Sequence, residues 1–172
     1  MRLKAVLGGG AVAVVLSLGA LAGVATAASG TPCGGSAVFA PLGDNAFYVQ
    51  MNAVGGTPSA ANGSITLSGS TSGVFKGSCV AFLLPQVRFY AMNAGGAAST
   101  LRVSVQYRDS ANVFHDVTIG TLSSGYATMR PSPALTFGGS QVNGNVQVTL
   151  TPSGAGAKWI LGGVYIDPFK RV

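Results

Sequence analysis

The sequence predicts an all-β domain, an antiparallel sandwich or barrel, behind an N-terminal export signal. Beyond position 28 the apolar residues recur with period two rather than 3.6, and the alternating runs are short. Turn-forming clusters separate them, among them Asn93-Ala94-Gly95-Gly96, Asp109-Ser110-Ala111-Asn112, Gly138-Gly139 and Asn143-Gly144-Asn145. No segment offers a convincing amphipathic helix, and no repeat of about 20 to 50 residues is present. Short strands between turns are the pattern of sandwiches and barrels.

Residues 1–27 read as a secretory signal peptide. Arg2 and Lys4 form a basic start, residues 5–24 an apolar run, and Ala25-Thr26-Ala27 a small-x-small cleavage site. Glycines at 8, 9, 10, 19 and 23 weaken that run as a membrane-spanning helix, because glycine disfavours helix. No second apolar span follows, so no membrane association is expected after cleavage. Residues 28–172 then form one domain with its core in 35–169, large enough to bury about two thirds of its unfolded surface, and expected to be secreted and monomeric.

Cys33 and Cys79 are the two cysteines, and export places them where disulfides persist. One pairing is possible, closing a loop of 45 intervening residues. With one histidine and no C-x-x-C, the cysteines suit neither a zinc site nor redox chemistry, and no cofactor or metal is expected.

The strand candidates follow in order: residues 47–51, 64–67, 80–84, 87–92, 101–108, 113–122, 145–150 and 159–166. The alternation is cleanest in 101–108, which sends Leu101, Val103, Val105 and Tyr107 inward, and in 145–150, which does the same for Val146, Val148 and Leu150. Residues 52–73 are nearly all small and read as a surface excursion with one short strand. Within them Asn62-Gly63-Ser64 fits a glycosylation sequon, but Asn-Gly also marks a tight turn, the preferred reading.

Beyond residue 28 the chain carries eight basic residues against four aspartates and no glutamate. The cations are scattered, and only Lys170-Arg171 are adjacent, which argues against a nucleic-acid partner and suits weak attraction to acidic cell-wall polymers.

Several pieces of the second half form a recognisable set. These are Cys79-Val80 followed by Pro85, Val87-Arg88-Phe89-Tyr90-Ala91, Leu101-Arg102-Val103 with Tyr107-Arg108-Asp109, Gly120-Thr121-Leu122, Pro131-Ser132-Pro133, Thr151-Pro152-Ser153-Gly154 and the closing Val164-Tyr165-Ile166-Asp167-Pro168-Phe169-Lys170-Arg171. On them the chain resembles a family of small secreted bacterial proteins of unassigned function that looks like a galactose-binding-type β-jelly roll. The resemblance covers residues 79–171 and implies a jelly-roll sandwich far more than an activity. Gly162-Gly163 departs from it, standing where relatives tend to carry an acidic pair that can hold calcium. A β-bulge or a close backbone approach in the last strand is expected there instead.

Catalysis finds little support. Asp44, Asp109, Asp116 and Asp167 are scattered, His115 and Asp116 point to opposite faces if they lie on a strand, and no Gly-x-Ser-x-Gly elbow occurs. No catalytic residue is assigned, and a secreted hydrolase is the least favoured alternative. The binding candidates are outward-facing. With Val87, Phe89 and Ala91 inward, Arg88 and Tyr90 face out, and if that strand lies near the next they join Arg102, Gln106 and Arg108 on one polar face suited to polysaccharide or another cell-envelope polymer. The same face also reads as ordinary solvated sheet, and a structural or protein-interaction role stands as the alternative. Trp159, in an apolar alternation, is expected in the core.

Overall fold

The computed structural model describes residues 36–39, 44–139 and 141–167, without the side chains of 36–38, 44–47, 80 and 81. The signal-peptide reading of residues 1–27 and the Cys33 half of the cysteine pair lie outside them. Every regular element described is a strand: β1 Ser36–Phe39, β2 Asp44–Phe47, β3 Val49–Gln50, β4 Asn52–Val54, β5 Ile65–Ser68, β6 Gly73–Leu83 and β7 Gln86–Asn93. They continue with β8 Thr100–Asp109, β9 Phe114–Leu122, β10 Arg130–Pro131, β11 Leu135–Thr136, β12 Gln141–Ser153 and β13 Lys158–Asp167.

Two antiparallel sheets face each other. One has the order β4-β6-β12-β8-β9; the other centres on β7 and β13, with β10 and β11 along the far edge of β7 and β3 and β5 along the far edge of β13. From β3 to β8 the chain changes sheet at every connection, so sequence neighbours become partners across the core, the jelly-roll arrangement. Period two supplies the core from both sides. Leu101, Val103 and Val105 of β8 and Val142, Val146, Val148 and Leu150 of β12 meet Val87, Phe89 and Ala91 of β7 and Trp159, Leu161, Val164 and Ile166 of β13. Trp159 is fully buried, and its indole N–H has no hydrogen-bond partner among the described residues.

Gly162-Gly163 explains how β13 keeps one face inward. Leu161 and Val164 are three residues apart, which in a regular strand sets them on opposite faces. The register with β7 slips between Leu161 and Gly163, and this bulge returns Val164 and Ile166 to the core. A Cβ on Gly163 would stand 2.9 Å from the Tyr165 ring, and one on Gly162 would stand 3.1 Å from Tyr90 Cβ. The bulge and the close approach are both present.

Residues 52–73 are a correction. They contain β4, paired to β6, and β5, paired to β13, rather than forming a surface excursion. Thr57 Oγ1 accepts from the Val74 N–H at 2.7 Å, fastening the segment to β6, which itself begins at Gly73, seven residues before the expected start. Asn62 and Gly63, with φ of 50° and 75°, close a two-residue turn between the mutually bonded Ala61 and Ser64. That is the left-handed pair an Asn-Gly hairpin turn demands. Asn143-Gly144-Asn145, expected as a turn, lies instead inside the continuous strand β12.

A third layer covers the β7–β13 sheet from outside. β1 and β2 form a separate two-stranded sheet, and Phe39, fully buried, packs among Tyr48, Tyr90 and Tyr165 at ring-centroid distances of 4.7, 5.1 and 5.5 Å. The outer face of the five-stranded sheet holds the cleft described next.

Candidate functional site

The outer face of the five-stranded sheet is built from the polar half of each alternation. Cross-strand register sets Asn52 opposite Lys76, Lys76 opposite Gln147, Gln147 opposite Gln106 and Gln106 opposite Asp116. Directly opposite residues share a face. One polar row therefore crosses all five strands, and its members from Asn52 to Gln106 line an open cleft of about 860 Å³.

Hydrogen bonds orient the middle of the row. Gln106 Nε2 donates to Asp116 Oδ2 at 2.9 Å, and Gln147 Nε2 donates to Gln106 Oε1 at 2.9 Å. An ionised carboxylate only accepts, so Asp116 requires Gln106 to present its NH2, which turns the Gln106 carbonyl toward Gln147 and fixes that amide in turn. Each amide keeps its second N–H for a ligand. The relay thus holds donors in place before anything binds.

The cleft wall comes from two irregularities. Opposite β8, the β12 pairing passes from Val142↔Asp109 to Val146↔Tyr107, four steps on β12 against two on β8, and the displaced Asn143, Gly144 and Asn145 line the cleft. The β8–β9 turn supplies the other side. Asp109 Oδ1 accepts from the N–H groups of Ala111 and Val113, each at 2.9 Å, while Asn112 takes a φ of 64°. Flanking the turn, Arg108 Nη1 donates to the Asn112 carbonyl at 2.9 Å, and the guanidinium lies 5.7 Å from the ring centroid of Phe114, a residue 54% exposed that lines the cleft.

His115 Nε2 lies 2.9 Å from Asp109 Oδ2, and the imidazole stacks 4.7 Å from Tyr107 on the inner side of edge strand β9. Its partner is Asp109, not its neighbour Asp116, which points to the cleft side. The hydrogen bond from His115 holds the Asp109 carboxyl below its ordinary pKa, helped by the Val113 and Ala111 N–H groups and opposed by desolvation. The pair braces the turn.

Of the residues expected to share a polar face, Arg102, Gln106 and Arg108 do so along β8. Arg88 and Tyr90 do not join them, because β7 belongs to the other sheet, whose outer face looks the opposite way. Arg88 does point away from the inter-sheet core, yet it is 2% exposed. Its guanidinium lies 4.5 Å from the Phe39 ring centroid, and Nη2 donates to the Ser132 carbonyl at 3.3 Å. Tyr90 stacks on the same ring. Lys76, Gln147, Asn145 and Phe114 were missed as site residues. The inward positions of Val146 and Val148 already imply that Gln147 faces out, but its neighbours depend on the pairing of β12 with both β6 and β8, which no local pattern carries.

No family model matches the sequence, and no curated protein sequence matches it. Similar solved structures include the CBM22-1 xylan-binding domain of Paenibacillus barcinonensis Xyn10C, at a TM-score of 0.46 and 15% identity over 72% of this chain and 88% of that one. CBM32 of AlyQ in complex with 4,5-unsaturated mannuronic acid is similar at a TM-score of 0.40 and 16% identity, over 70% of this chain and 95% of that one. The C-terminal CBM6 of LamC from Zobellia galactanivorans is similar at 0.38 and 11% identity, over 70% and 90% of the respective chains.

Proposed function

We propose that the protein is a secreted, non-catalytic carbohydrate-binding module, and that a polysaccharide lies across the five-stranded sheet in the cleft. The supporting observation is the polar row Asn52–Lys76–Gln147–Gln106–Asp116, with its two glutamine amides oriented, beside the exposed Phe114. A sugar ring offers hydroxyls at its rim and an apolar face, so it needs convergent polar groups beside an exposed ring. Preset amides also lower the ordering cost of binding. Export through residues 1–27 belongs to the same reading. The non-catalytic part is supported by the placement of Asp167 on the opposite sheet from Asp116, which keeps those two carboxyls from flanking one glycosidic bond.

Depletion of the protein by insoluble polysaccharides, each competed with its soluble oligosaccharide, tests the proposal. Gln147→Ala and Phe114→Ala should each weaken retention about five- to tenfold, the loss expected for one ligand hydrogen bond or one ring contact. Unfolding curves should stay within about 0.5 kcal/mol of the parent for such surface positions. Absence of retention on every polysaccharide, or retention indifferent to both substitutions, would overturn it.

A further inference from the structure

We infer that the cleft selects a polysaccharide bearing carboxylates, a polyuronate, over a neutral one; this rests on the carbohydrate reading of the same cleft. The chemistry of the lining is one-sided. Lys76 and Arg108 line the cleft, both exposed, and no aspartate or glutamate is among the described lining residues. Lys76 lies in the polar row beside Gln147; Arg108 lies two residues along β8 from Gln106, about 7 Å in an extended strand. Arg102 is a third exposed cation on that face, four residues from Gln106 in the other direction.

The one carboxylate of the row stands at its end, outside the cleft lining, and does not offset these cations where a ligand would lie. Asp116 is on edge strand β9, and one of its oxygens already accepts from Gln106. By accepting, it leaves Gln106 and Gln147 with N–H donors still to give. The cleft is therefore rich in donors and positive charge, and the ligand that complements it is rich in acceptors and negative. Cations spaced over one sheet face, on β6 and β8, match charges repeated along a polymer better than a single charge on a terminal sugar. Where the amides bond the same carboxylate, the contacts become charge-assisted and stronger than those to a neutral hydroxyl.

The test compares polygalacturonic acid with its fully methyl-esterified form, which keeps the backbone and removes the charge, by affinity electrophoresis of the full chain. The acid form should bind about tenfold tighter or more. Lys76→Gln and Arg108→Gln should each reduce that preference severalfold, read as the ratio of acid to ester binding so that a loss common to both polymers cancels. Lys158→Gln, an exposed cation on β13 in the other sheet, controls for general charge attraction and should change neither. Equal binding of both polymers overturns the selectivity and leaves the carbohydrate reading intact. A loss with Lys158→Gln equal to that with Lys76→Gln also overturns it, because attraction to the whole molecule would then explain the preference. If neither of these polymers nor any neutral polysaccharide is retained, both readings fall.

Discussion

Arg88 and Arg108 are both outward positions on alternating strands, yet one is buried and the other exposed. The difference comes from Phe39, which the β1–β2 layer brings over β7 so that the Arg88 guanidinium is sandwiched against an aromatic ring and hydrogen-bonded to Ser132. A buried cation–π contact is worth up to about 2 kcal/mol, and a hydrogen bond from a charged donor about 1.5–3 kcal/mol. Arg88→Ala should therefore cost about 3 kcal/mol in urea unfolding and leave polysaccharide retention unchanged, since the side chain lies on the far side of the molecule from the cleft. Arg88→Lys should recover little, because an ammonium lacks the planar group that stacks on the ring. Weakened retention at parental stability would instead return Arg88 to the binding surface.

Among the elements, the β8–β9 hairpin joins stability to the cleft, because the turn that Asp109 braces also holds Asn112 and carries the chain to Phe114. The folded-state pKa of Asp109 is depressed, chiefly by the hydrogen bond from His115 and then by the Val113 N–H. A depressed carboxyl stabilises the fold above its unfolded pKa, and that contribution is lost as pH falls through the lower folded value. The parent should accordingly be more stable than Asp109→Asn at neutral pH, and the difference should shrink below about pH 4, where the carboxyl begins to protonate in the unfolded chain. Urea midpoints at pH 7 and at pH 3 measure it; a gap that stays constant between them would show that the charge contributes nothing. Element by element, β8 and β13 were readable because their inward residues are large and apolar. β4 and the first half of β6 were not, because Asn52, Ala53, Gly73 and Gly77 give no apolar alternation, and their strand character comes from the neighbours they pair with.

For the whole molecule, the sequence carries which side chains alternate, but the assignment of each strand to a sheet depends on long-range pairing. That is why Gln106 could be placed on a polar face while Arg88 was set beside it rather than on the opposite side of the sandwich. It also separates the two outer faces by role: the N-terminal layer closes one, and the cleft occupies the other. Holding that layer down is a task for the proposed Cys33–Cys79 bond. Cys33 is three residues before β1, and Cys79 is on β6, half-buried against the core, so the link would tie the start of the covering layer to the cleft-bearing sheet. Closing 45 intervening residues removes unfolded-state entropy worth about 4 kcal/mol in the chain-entropy model. The Cys33→Ser/Cys79→Ser variant, and the parent after reduction, should melt about 10 °C lower. Both should still retain polysaccharide at low temperature, because the row from Asn52 to Asp116 is held by sheet pairing and by its own side-chain hydrogen bonds. Mass spectrometry of the unreduced protein should find two hydrogens fewer than the sequence requires. Two titratable thiols in the unreduced protein would refute the bond and leave aromatic packing around Phe39 as the fastening of that layer.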